Sequence, residues 1–365
     1  MSAQSESASS CRILLQRQVA VGTVPGVSSR ARLADIAAKA GVSEATVSRV
    51  LNGKPGVADE TKQSVLTALD VLGFERPTRL RRRSAGLIGL VMPELINPIF
   101  PAFAQVIESA LSQRGFTPVL CTQSPSGATE EEYVEMLLER GVSGIMFVSG
   151  LHADTGADHA RYQALVERRL PVVFVNGWLP GVEAPFVSSD EYAAMELAVS
   201  HLVALGHRRI GFASGPERFI VVQRKLAGYR TSMKARLGVS DEDLDPLVAL
   251  SMFGVEGGAA AAQQLLDAQV SAVICGSDMM ALGVIRAARQ RGLSVPGDIS
   301  VVGYDDAPMM EFTDPPMTTI RQPVQSMALA AVQSLLEEVR GHTTPHTEFL
   351  FRPELVVRGS TGPLK

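Results

Sequence analysis

The sequence predicts an α/β protein that carries a small all-α head at its N-terminal side. At 365 residues the chain exceeds what one ordinary core organises, so two or three domains are expected. Its composition, 46% hydrophobic and only 5% aromatic, suits helices packed on a parallel sheet. Short apolar runs alternate with helical patterns from residue 86 onward, whereas the stretch before it shows helical patterns only.

Residues 1–30 are predicted to be a disordered tail, because they are Ser-rich and polar and then lack a clear apolar face. A start codon placed too early would explain such a tail, and we expect the functional protein to begin near Arg32. A secretory signal would need a charged segment followed by a long apolar one, and neither occurs. No run of about eighteen apolar residues predicts a membrane span, so a cytoplasmic location is expected.

The cysteines are widely spaced and show no CxxC or Cys/His pattern. We therefore expect reduced thiols at Cys11, Cys121 and Cys275, with no disulfide and no metal site.

Two short helical patterns joined by a glycine follow in residues 33–52. Apolar residues recur at helical spacing over 33–40. Gly41 supplies the positive φ that a sharp turn after this helix requires. Ser43 is placed to cap a second helix by accepting a hydrogen bond from the amides near Thr46.

These features are those of a helix-turn-helix, whose second helix can enter the DNA major groove. There, Arg49 can donate to guanine or to a phosphate. Any helical hairpin would share the apolar spacing, but it would not require the block AGVSEATVSRVLNG. Residues 59–72 are predicted to form a third helix that closes the small core. The candidate DNA contacts in this head are Leu33, Ser43, Glu44, Ala45, Thr46, Ser48, Arg49 and Asn52.

Beyond residue 85 the chain repeats strand and helix patterns in two series. The predicted strands of the first series lie at 86–93, 117–123, 143–149 and 171–177, with helices at 101–113, from 130 and from 158. The second series begins near Phe186, with strands at 209–215, 249–253, 272–278 and 299–306 and helices at 191–205, 222–237, 257–267 and 279–291. The chain then crosses back over 319–323, and a helix follows at 324–339. Fully apolar strands indicate parallel sheets covered on both faces. Two series imply two lobes with a cleft between them.

Ligands of open α/β sheets bind at the carboxyl ends of the strands. That rule selects Asn97, Phe100, Asn176, Trp178, Asp190, Asp278, Asp305 and Asp306. Carboxylates and amides suit the hydroxyl groups of a sugar, and Trp178 or Phe253 could stack on its ring. Ordinary packing is the alternative for a single aromatic residue, and N-capping is the alternative for Asp278.

The segment GVSEATVSRVLNGKPGV resembles the head of the LacI/GalR family of repressors. VALGHRRIGFASGP, SDMMALG, VPGDISVVGYDD and PPMTTIRQP resemble the core of that family, which is similar to periplasmic sugar-binding proteins. The resemblance covers about residues 32–360. RPTRLRRRSAGLIGLVMPELINPIFPAF, FTDPPMTTIRQP and FRPELVVRGSTG look most like the maltose-operon repressors of high-GC bacteria. The resemblance implies a homodimer that binds double-stranded operator DNA under the control of a small sugar effector.

The resemblance also implies effector contacts at Asn97, Phe100, Asp190, Lys225, Phe253, Asp278 and Asp305. Lys225 stands where the family usually has an arginine, and the neighbouring Arg224 could supply the planar fork that lysine lacks. Together with Trp178, these residues form the candidate effector site.

Residues 76–85 are similar to the hinge of the family but are several residues shorter. Ser84 stands where the family has a leucine that wedges into the minor groove. Either Leu80 takes that role or the arginines, including Arg79, make narrow-groove contacts instead. The expected domains are therefore a tail at 1–30, a head at 31–75, this hinge, and a two-lobed core at 86–365.

Other functions explain the sequence less well. A sugar-binding protein for transport would leave the head unexplained, although a cytoplasmic sugar-binding protein with a non-functional head stays as an alternative. The histidines are scattered, and GxSxG, Walker and HExxH patterns are absent, so no catalytic residue, cofactor or metal is predicted. Asp305 and Asp306 could suggest acid–base chemistry, but hydroxyl binding is the simpler role.

Overall fold

The computed structural model describes residues 29–52, 54, 56–74, 85–123 and 127–364. The chain divides into two compact units, Met1–Arg83 and Ser84–Lys365. The predicted contacts Arg79 and Leu80, residues 76–84 of the predicted hinge, Cys11 and most of the predicted tail lie outside the described residues. The domain boundaries therefore stay a prediction.

The smaller unit packs its helices around a compact apolar core. Its helices are α1 (Ser29–Ala40), α2 (Glu44–Leu51) and α3 (Asp59–Val71). Helix α1 begins at Ser29, inside the predicted tail. Gly41 has the φ of +66° that was expected where α1 turns toward α2. The buried side chains of this core are Ile36, Ala37, Val47, Val50, Val65, Ala68 and Leu69.

The first lobe of the larger unit is a parallel six-stranded sheet with helices on both faces. Its strands are β1 (Leu87–Met92), β2 (Thr117–Thr122), β3 (Gly144–Val148), β4 (Val172–Val175), β5 (Phe186–Ser189) and β11 (Glu348–Phe351), in the order β11-β5-β4-β3-β1-β2. Its helices are α4 (Ile99–Gln113), α5 (Glu130–Glu139), α6 (Ala160–Glu167) and α12 (Val324–Val339). The inner strands β1, β3 and β4 are almost wholly buried, because helices cover both of their faces.

The second lobe repeats this architecture. Its strands are β6 (Ile210–Ser214), β7 (Val248–Leu250), β8 (Ala272–Cys275), β9 (Ser300–Asp305), β10 (Thr318–Arg321) and β12 (Glu354–Val356), in the order β12-β10-β9-β8-β6-β7. Its helices are α7 (Glu191–Ala204), α8 (Ile220–Leu237), α9 (Asp241–Leu244), α10 (Val255–Asp267) and α11 (Asp278–Gln290). The pairing of β10 with β12 is antiparallel, whereas the other strand pairs are parallel.

The chain passes between the lobes at three places, from β5 to α7, from β10 to α12 and from β11 to β12. All of these strands lie at or next to one edge of their sheets. The predicted α/β class and two-lobed core are confirmed. The short strands β11 and β12 were not predicted, since each has only three or four residues and their pairing depends on distant partners.

The described cysteines, Cys121 and Cys275, are free and buried. Burial raises the pKa of the Cys121 thiol to about 11, and that of Cys275 rises further for the same reason. Both groups therefore stay protonated and unreactive at neutral pH. Within the described residues, no helix combines the length and apolar character that a membrane crossing requires.

Candidate functional site

Helix α2 presents an exposed polar surface supported by a capped N-terminus. The hydroxyl of Ser43 accepts a hydrogen bond from the amide of Thr46 at 3.2 Å, as the sequence predicted. Val47 and Val50 hold the opposite side of the helix in the core. Of the predicted DNA contacts, Ser43, Glu44, Ala45, Arg49 and Asn52 are exposed, whereas Thr46 and Ser48 are half-buried.

Leu33 occupies a different environment. It is half-buried and packs against the core of this small unit, so its first role there is structural. Asn52 lies just beyond α2 and donates from its side-chain amide to the carbonyl of Ser48 at 2.8 Å. The exposed face of α2 is small and polar enough to approach base edges.

A cavity of about 510 Å³ lies between the lobes of the larger unit. Its walls come from loops that follow strands of both sheets, which is where the carboxyl-end rule placed the site. The first lobe contributes Pro93, Glu94, Asn97, Ile99, Phe100, Gln123, Ser149, Ala153 and Asn176. The crossovers and the second lobe contribute Glu191, Phe219, Val221, Lys225, Met252, Phe253, Gly276, Ser277, Asp305 and Gln322.

Asp305 lies at the centre of the polar wall and links the lobes. Its carboxylate accepts a hydrogen bond from Nε2 of Gln322 at 2.7 Å and a longer one from Nδ2 of Asn97 at 3.5 Å. Burial raises its pKa to about 7, against the opposing effect of Lys225 and of these hydrogen bonds. A buried carboxylate with such a pKa, facing a cavity, is typical of a binding site.

Lys225 is already paired within the protein. Its Nζ lies 3.6 Å from a carboxylate oxygen of Glu191, 3.4 Å from the carbonyl oxygen of Gly276 and 3.7 Å from the centroid of the Tyr304 ring. Tyr304 in turn donates to Glu191 at 2.7 Å. Burial raises the pKa of Glu191, although Lys225 opposes that rise. Lys225 is the only lysine or arginine among the residues described along the cavity wall. Because Lys225 is already paired with Glu191, this part of the wall offers an anionic ligand no unpaired cation.

Two oxygen atoms of the wall are buried without a hydrogen-bond partner within the described structure. They are Oδ1 of Asn176 and Oε1 of Gln322. Asn176 also adopts a φ of +60°, an unusual conformation for a residue other than glycine. Buried acceptors without partners are costly, and ligand hydroxyl groups facing them would remove that cost.

One side of the cavity is apolar and aromatic. The rings of Phe219 and Phe253 lie 5.6 Å apart at an angle of 60°. Phe253 is 45% exposed and Met252 is 70% exposed, so both remain available to a ligand. This wall can cover the apolar face of a sugar ring.

The structure brings five of the candidate effector contacts together along the cavity, namely Asn97, Phe100, Lys225, Phe253 and Asp305. Their contact with an effector stays a prediction. Trp178, Asp190, Arg224 and Asp278 lie outside its described wall.

Asp190 caps α7 by accepting from the amide of Ala193 at 3.0 Å. The guanidinium of Arg224 forms two hydrogen bonds with Glu348, of 2.6 and 2.8 Å, so it does not supply the fork proposed for the cavity. Trp178 is 41% exposed and does not stack at the described wall.

Asp278 is buried behind the cavity, where it accepts from the hydroxyl of Thr319 at 2.6 Å and from the amide of Ala307 at 2.8 Å. The N-cap of α11 is Ser277, so the alternative assignment of Asp278 as that cap is wrong. Burial, with Asp305 nearby, raises the pKa of Asp278 well above its ordinary value.

The sequence did not single out Glu191, Phe219 or Gln322 as site residues. Glu191 begins α7 directly after a crossover, one residue beyond the selected Asp190, and Gln322 lies on the crossover from β10 to α12. A search for polar residues at the places where the chain is predicted to pass from one lobe to the other would have found both. Phe219 follows β6 by five residues and offered no comparable signal.

Comparison with known proteins identifies relatives along most of the chain. Residues 32–76 match the family described as bacterial regulatory proteins, lacI family, and residues 199–361 match a periplasmic binding protein-like domain. The chain is 62% identical to the HTH-type transcriptional regulator MalR of Streptomyces coelicolor over 90% of its own length and 96% of the relative. It is 32% identical to the HTH-type transcriptional repressor CytR of Escherichia coli, over 92% and 97% of the two chains.

Solved structures give the same result. A transcriptional regulator CelR in complex with cellobiose aligns with a TM-score of 0.67 at 32% identity, over 90% of this chain and 99% of that one. A lac repressor dimer bound to operator and an anti-inducer aligns with a TM-score of 0.65 at 28% identity, over 90% and 98% of the two chains.

Proposed function

The chain belongs to the LacI family of bacterial regulatory proteins, and on that premise we propose that it is a homodimeric repressor controlled by maltose or a short maltodextrin. The exposed face of α2 reads the operator, and the cavity between the lobes takes the sugar. Two copies are needed because one helix-turn-helix makes too few base contacts for a specific site, whereas two heads read a pseudo-palindrome.

The observation that carries the sugar assignment is the chemistry of the cavity wall. Buried acceptors at Asn176, Gln322 and Asp305 surround a space beside aromatic rings, and the lysine of the wall is already paired. A neutral polyol donates to such acceptors through its hydroxyl groups and lays its C–H face on the rings. A phosphorylated sugar would bring negative charge against Glu191 and Asp305, and the described part of the wall offers no unpaired lysine or arginine to receive it.

The choice of maltose rests on sequence similarity. The branch that this chain resembles comprises maltose-operon repressors, and the 62% identical relative is named MalR. The structural neighbour that binds cellobiose supports a ligand of disaccharide size. The two glucose units of cellobiose are joined by a different linkage from those of maltose. Maltose, maltotriose and cellobiose are therefore the ligands to compare.

Isothermal titration calorimetry of the full chain tests the ligand assignment. We expect maltose or maltotriose to bind, and glucose 6-phosphate not to bind. Asn176→Ala should weaken sugar binding, because it removes a buried acceptor from the cavity wall. Trp178→Ala, two residues further along the chain but outside the described wall, should leave the affinity unchanged. Binding of the phosphosugar in preference to every neutral sugar would overturn the assignment.

Fluorescence anisotropy with DNA from the region upstream of the coding sequence tests the head. Arg49→Ala on α2 should weaken binding to the specific site by about 1–3 kcal/mol. Lys62→Ala on the exposed side of α3 removes the same charge and should lower affinity for all sequences slightly and equally. Equal losses in the two variants would contradict the assignment of α2 as the reading helix.

A further inference from the structure

A group of contacts joins the lobes at the edge of the cavity, away from the crossovers. The participating segments follow β3 in the first lobe and β6 in the second. In their sheets β3 lies two strands from β5, and β6 lies three strands from β10, so these contacts are remote from the crossover edge. We define the interlobe clasp as Asp154 and Thr155 on one side with Arg218, Phe219 and Gln223 on the other.

The clasp combines backbone and side-chain bonds. The amide and hydroxyl of Thr155 both donate to the carbonyl of Arg218, at 2.8 and 2.7 Å. Nε of Arg218 donates to the carboxylate of Asp154 at 2.7 Å. Asp154 and Phe219 form an isolated antiparallel β-bridge, and Gln223 donates to the hydroxyl of Thr155 at 3.3 Å. Two loops from different lobes thus share a short stretch of β-pairing.

The clasp is directly connected to the walls of the cavity. Ala153, next to Asp154, lines the cavity from the first lobe, and Phe219 lines it from the second. The guanidinium of Arg218 lies 5.0 Å from the centroid of the Phe219 ring, which itself contacts Phe253. Separating the clasp would therefore move two walls of the cavity apart.

The ion pair of the clasp is exposed on its arginine side. The side chain of Arg218 is 57% exposed and that of Asp154 is 11% exposed, so solvent screens the pair from the arginine side and weakens it. By contrast, Arg224 and Glu348 also span the lobes, but their side chains are only 19% and 15% exposed and Glu348 lies on β11, beside a crossover. One side of the cleft is thus held by the crossovers and an ion pair with both partners mostly buried. The clasp side has no crossover in the described part of the chain, and its ion pair has an exposed arginine.

We propose that the interlobe clasp is the gate of the cavity: it parts to admit a sugar, and the Asp154–Arg218 ion pair determines how long the sugar stays. This inference rests on the proposed function for its ligand, since the gate controls access to the same cavity. The hydrogen bonds of Thr155 across the lobes are present whichever ligand the cavity binds.

Two variants of the full chain test the gate. Arg218→Ala removes the ion pair, and Asp154→Asn removes the charge while keeping the oxygen that accepts from the amide of Gly156 at 3.0 Å. Arg286→Ala is the matched control, because it breaks an exposed arginine–carboxylate pair with Glu256 inside the second lobe.

The first measurement needs no ligand. Amide hydrogen exchange of the peptide that contains Thr155 should become about two- to fivefold faster in both gate variants and stay unchanged in Arg286→Ala. Unchanged exchange in both gate variants would overturn the clasp as an ion-pair-controlled gate, whether or not a sugar binds.

The second measurement is the dissociation rate of maltose by stopped-flow fluorescence of Trp178, the one tryptophan of the chain. Gly177, its neighbour, packs against Ala153 next to the clasp, so this residue is well placed to report opening. We expect dissociation to be about two- to fivefold faster in both gate variants. In 1 M NaCl the wild type should approach the variants, because salt screens the exposed ion pair.

The outcomes separate the two proposals. If no sugar binds but amide exchange at Thr155 is faster in the gate variants, the sugar assignment is wrong and the role of the clasp is supported. Sugar dissociation that is unchanged in both gate variants, or equally accelerated in Arg286→Ala, would overturn the gate while leaving the cavity as a sugar site.

Discussion

Asp305 should lower the stability of the folded protein at neutral and alkaline pH, because its carboxylate is buried in the wall of the cavity. Burial raises its pKa from the ordinary value of 3.8 to about 7. The unfolded chain therefore releases this proton near pH 3.8 and the folded chain near pH 7. Between these values the folded state holds the extra proton, so its stability falls as pH rises and levels off above 7.

The size of the effect follows from the two pKa values. Each pH unit between the two pKa values lowers the free energy of unfolding by about 1.36 kcal/mol. The loss of stability is therefore roughly 4 kcal/mol at pH 8 and less than about 2 kcal/mol at pH 5. Asp305→Asn removes this penalty but gives up part of the hydrogen bonding with Gln322 and Asn97, at a cost of about 1 kcal/mol. The variant should thus be more stable than the wild type by about 3 kcal/mol at pH 8 and nearly equal to it at pH 5.

Thermal unfolding of the core by circular dichroism at pH 5, 6, 7 and 8 measures this difference. We expect Tm of Asp305→Asn to exceed that of the wild type by several degrees at pH 8, with the gap closing toward pH 5. Sugar affinity should fall by roughly 10- to 100-fold, as a charged acceptor is lost.

The neighbouring Asp306 is the matched control. It forms ion pairs of 2.7 Å with Arg321 and with Arg358, so Asp306→Asn should destabilise the core. An Asp305→Asn variant that is less stable than the wild type by the same amount at pH 5 and pH 8 would show that burial of this carboxylate carries no pH-dependent cost.

Two further variants test the head and the buried ion pair. Ser43→Ala removes the cap of α2 and should lower the stability of the head by about 1 kcal/mol, and anisotropy should show weaker DNA binding. Ser64→Ala loses a hydrogen bond to the carbonyl of Glu60 and should leave DNA binding unchanged. Lys225→Met leaves Glu191 buried without its cation and should lower the stability of the core by about 1–3 kcal/mol at pH 8 but less at pH 5, where Glu191 can take up a proton. A loss in Lys225→Met that does not depend on pH, measured by thermal unfolding, would contradict the pairing with Glu191.

The fold could be predicted from the sequence where local signals were strong. Gly41 and Ser43 marked the turn and the cap of the head, and the apolar runs marked the inner strands of both sheets. Antiparallel pairing of β12 could not be predicted, because residues 354–356 carry no local signal and pair only after the chain has crossed from the other lobe.

The candidate site was predictable only in part for a related reason. Strand ends gave Asn97 and Asp305, since the carboxyl-end rule depends on strand positions alone. The rule could not tell which of two adjacent carboxylates faces the cavity: it selected Asp190, which caps a helix, whereas Glu191 lines the wall. The resemblance likewise offered both Arg224 and Lys225, of which Arg224 pairs with Glu348 and Lys225 lines the wall. That choice is made by helix rotation and by partners in the other lobe, which no short stretch of sequence specifies.

Sugar bound in the cleft should control DNA binding by the head. The anisotropy of labelled DNA from the upstream region tests this control, when the DNA is titrated with the full chain in the absence and presence of saturating maltose or maltotriose. We expect tight binding to one palindromic site and a change in that affinity of about 5- to 150-fold when the sugar is present, the range of typical allosteric coupling. Tight operator binding that no sugar in the panel alters, in a protein that binds one of those sugars by calorimetry, would contradict it.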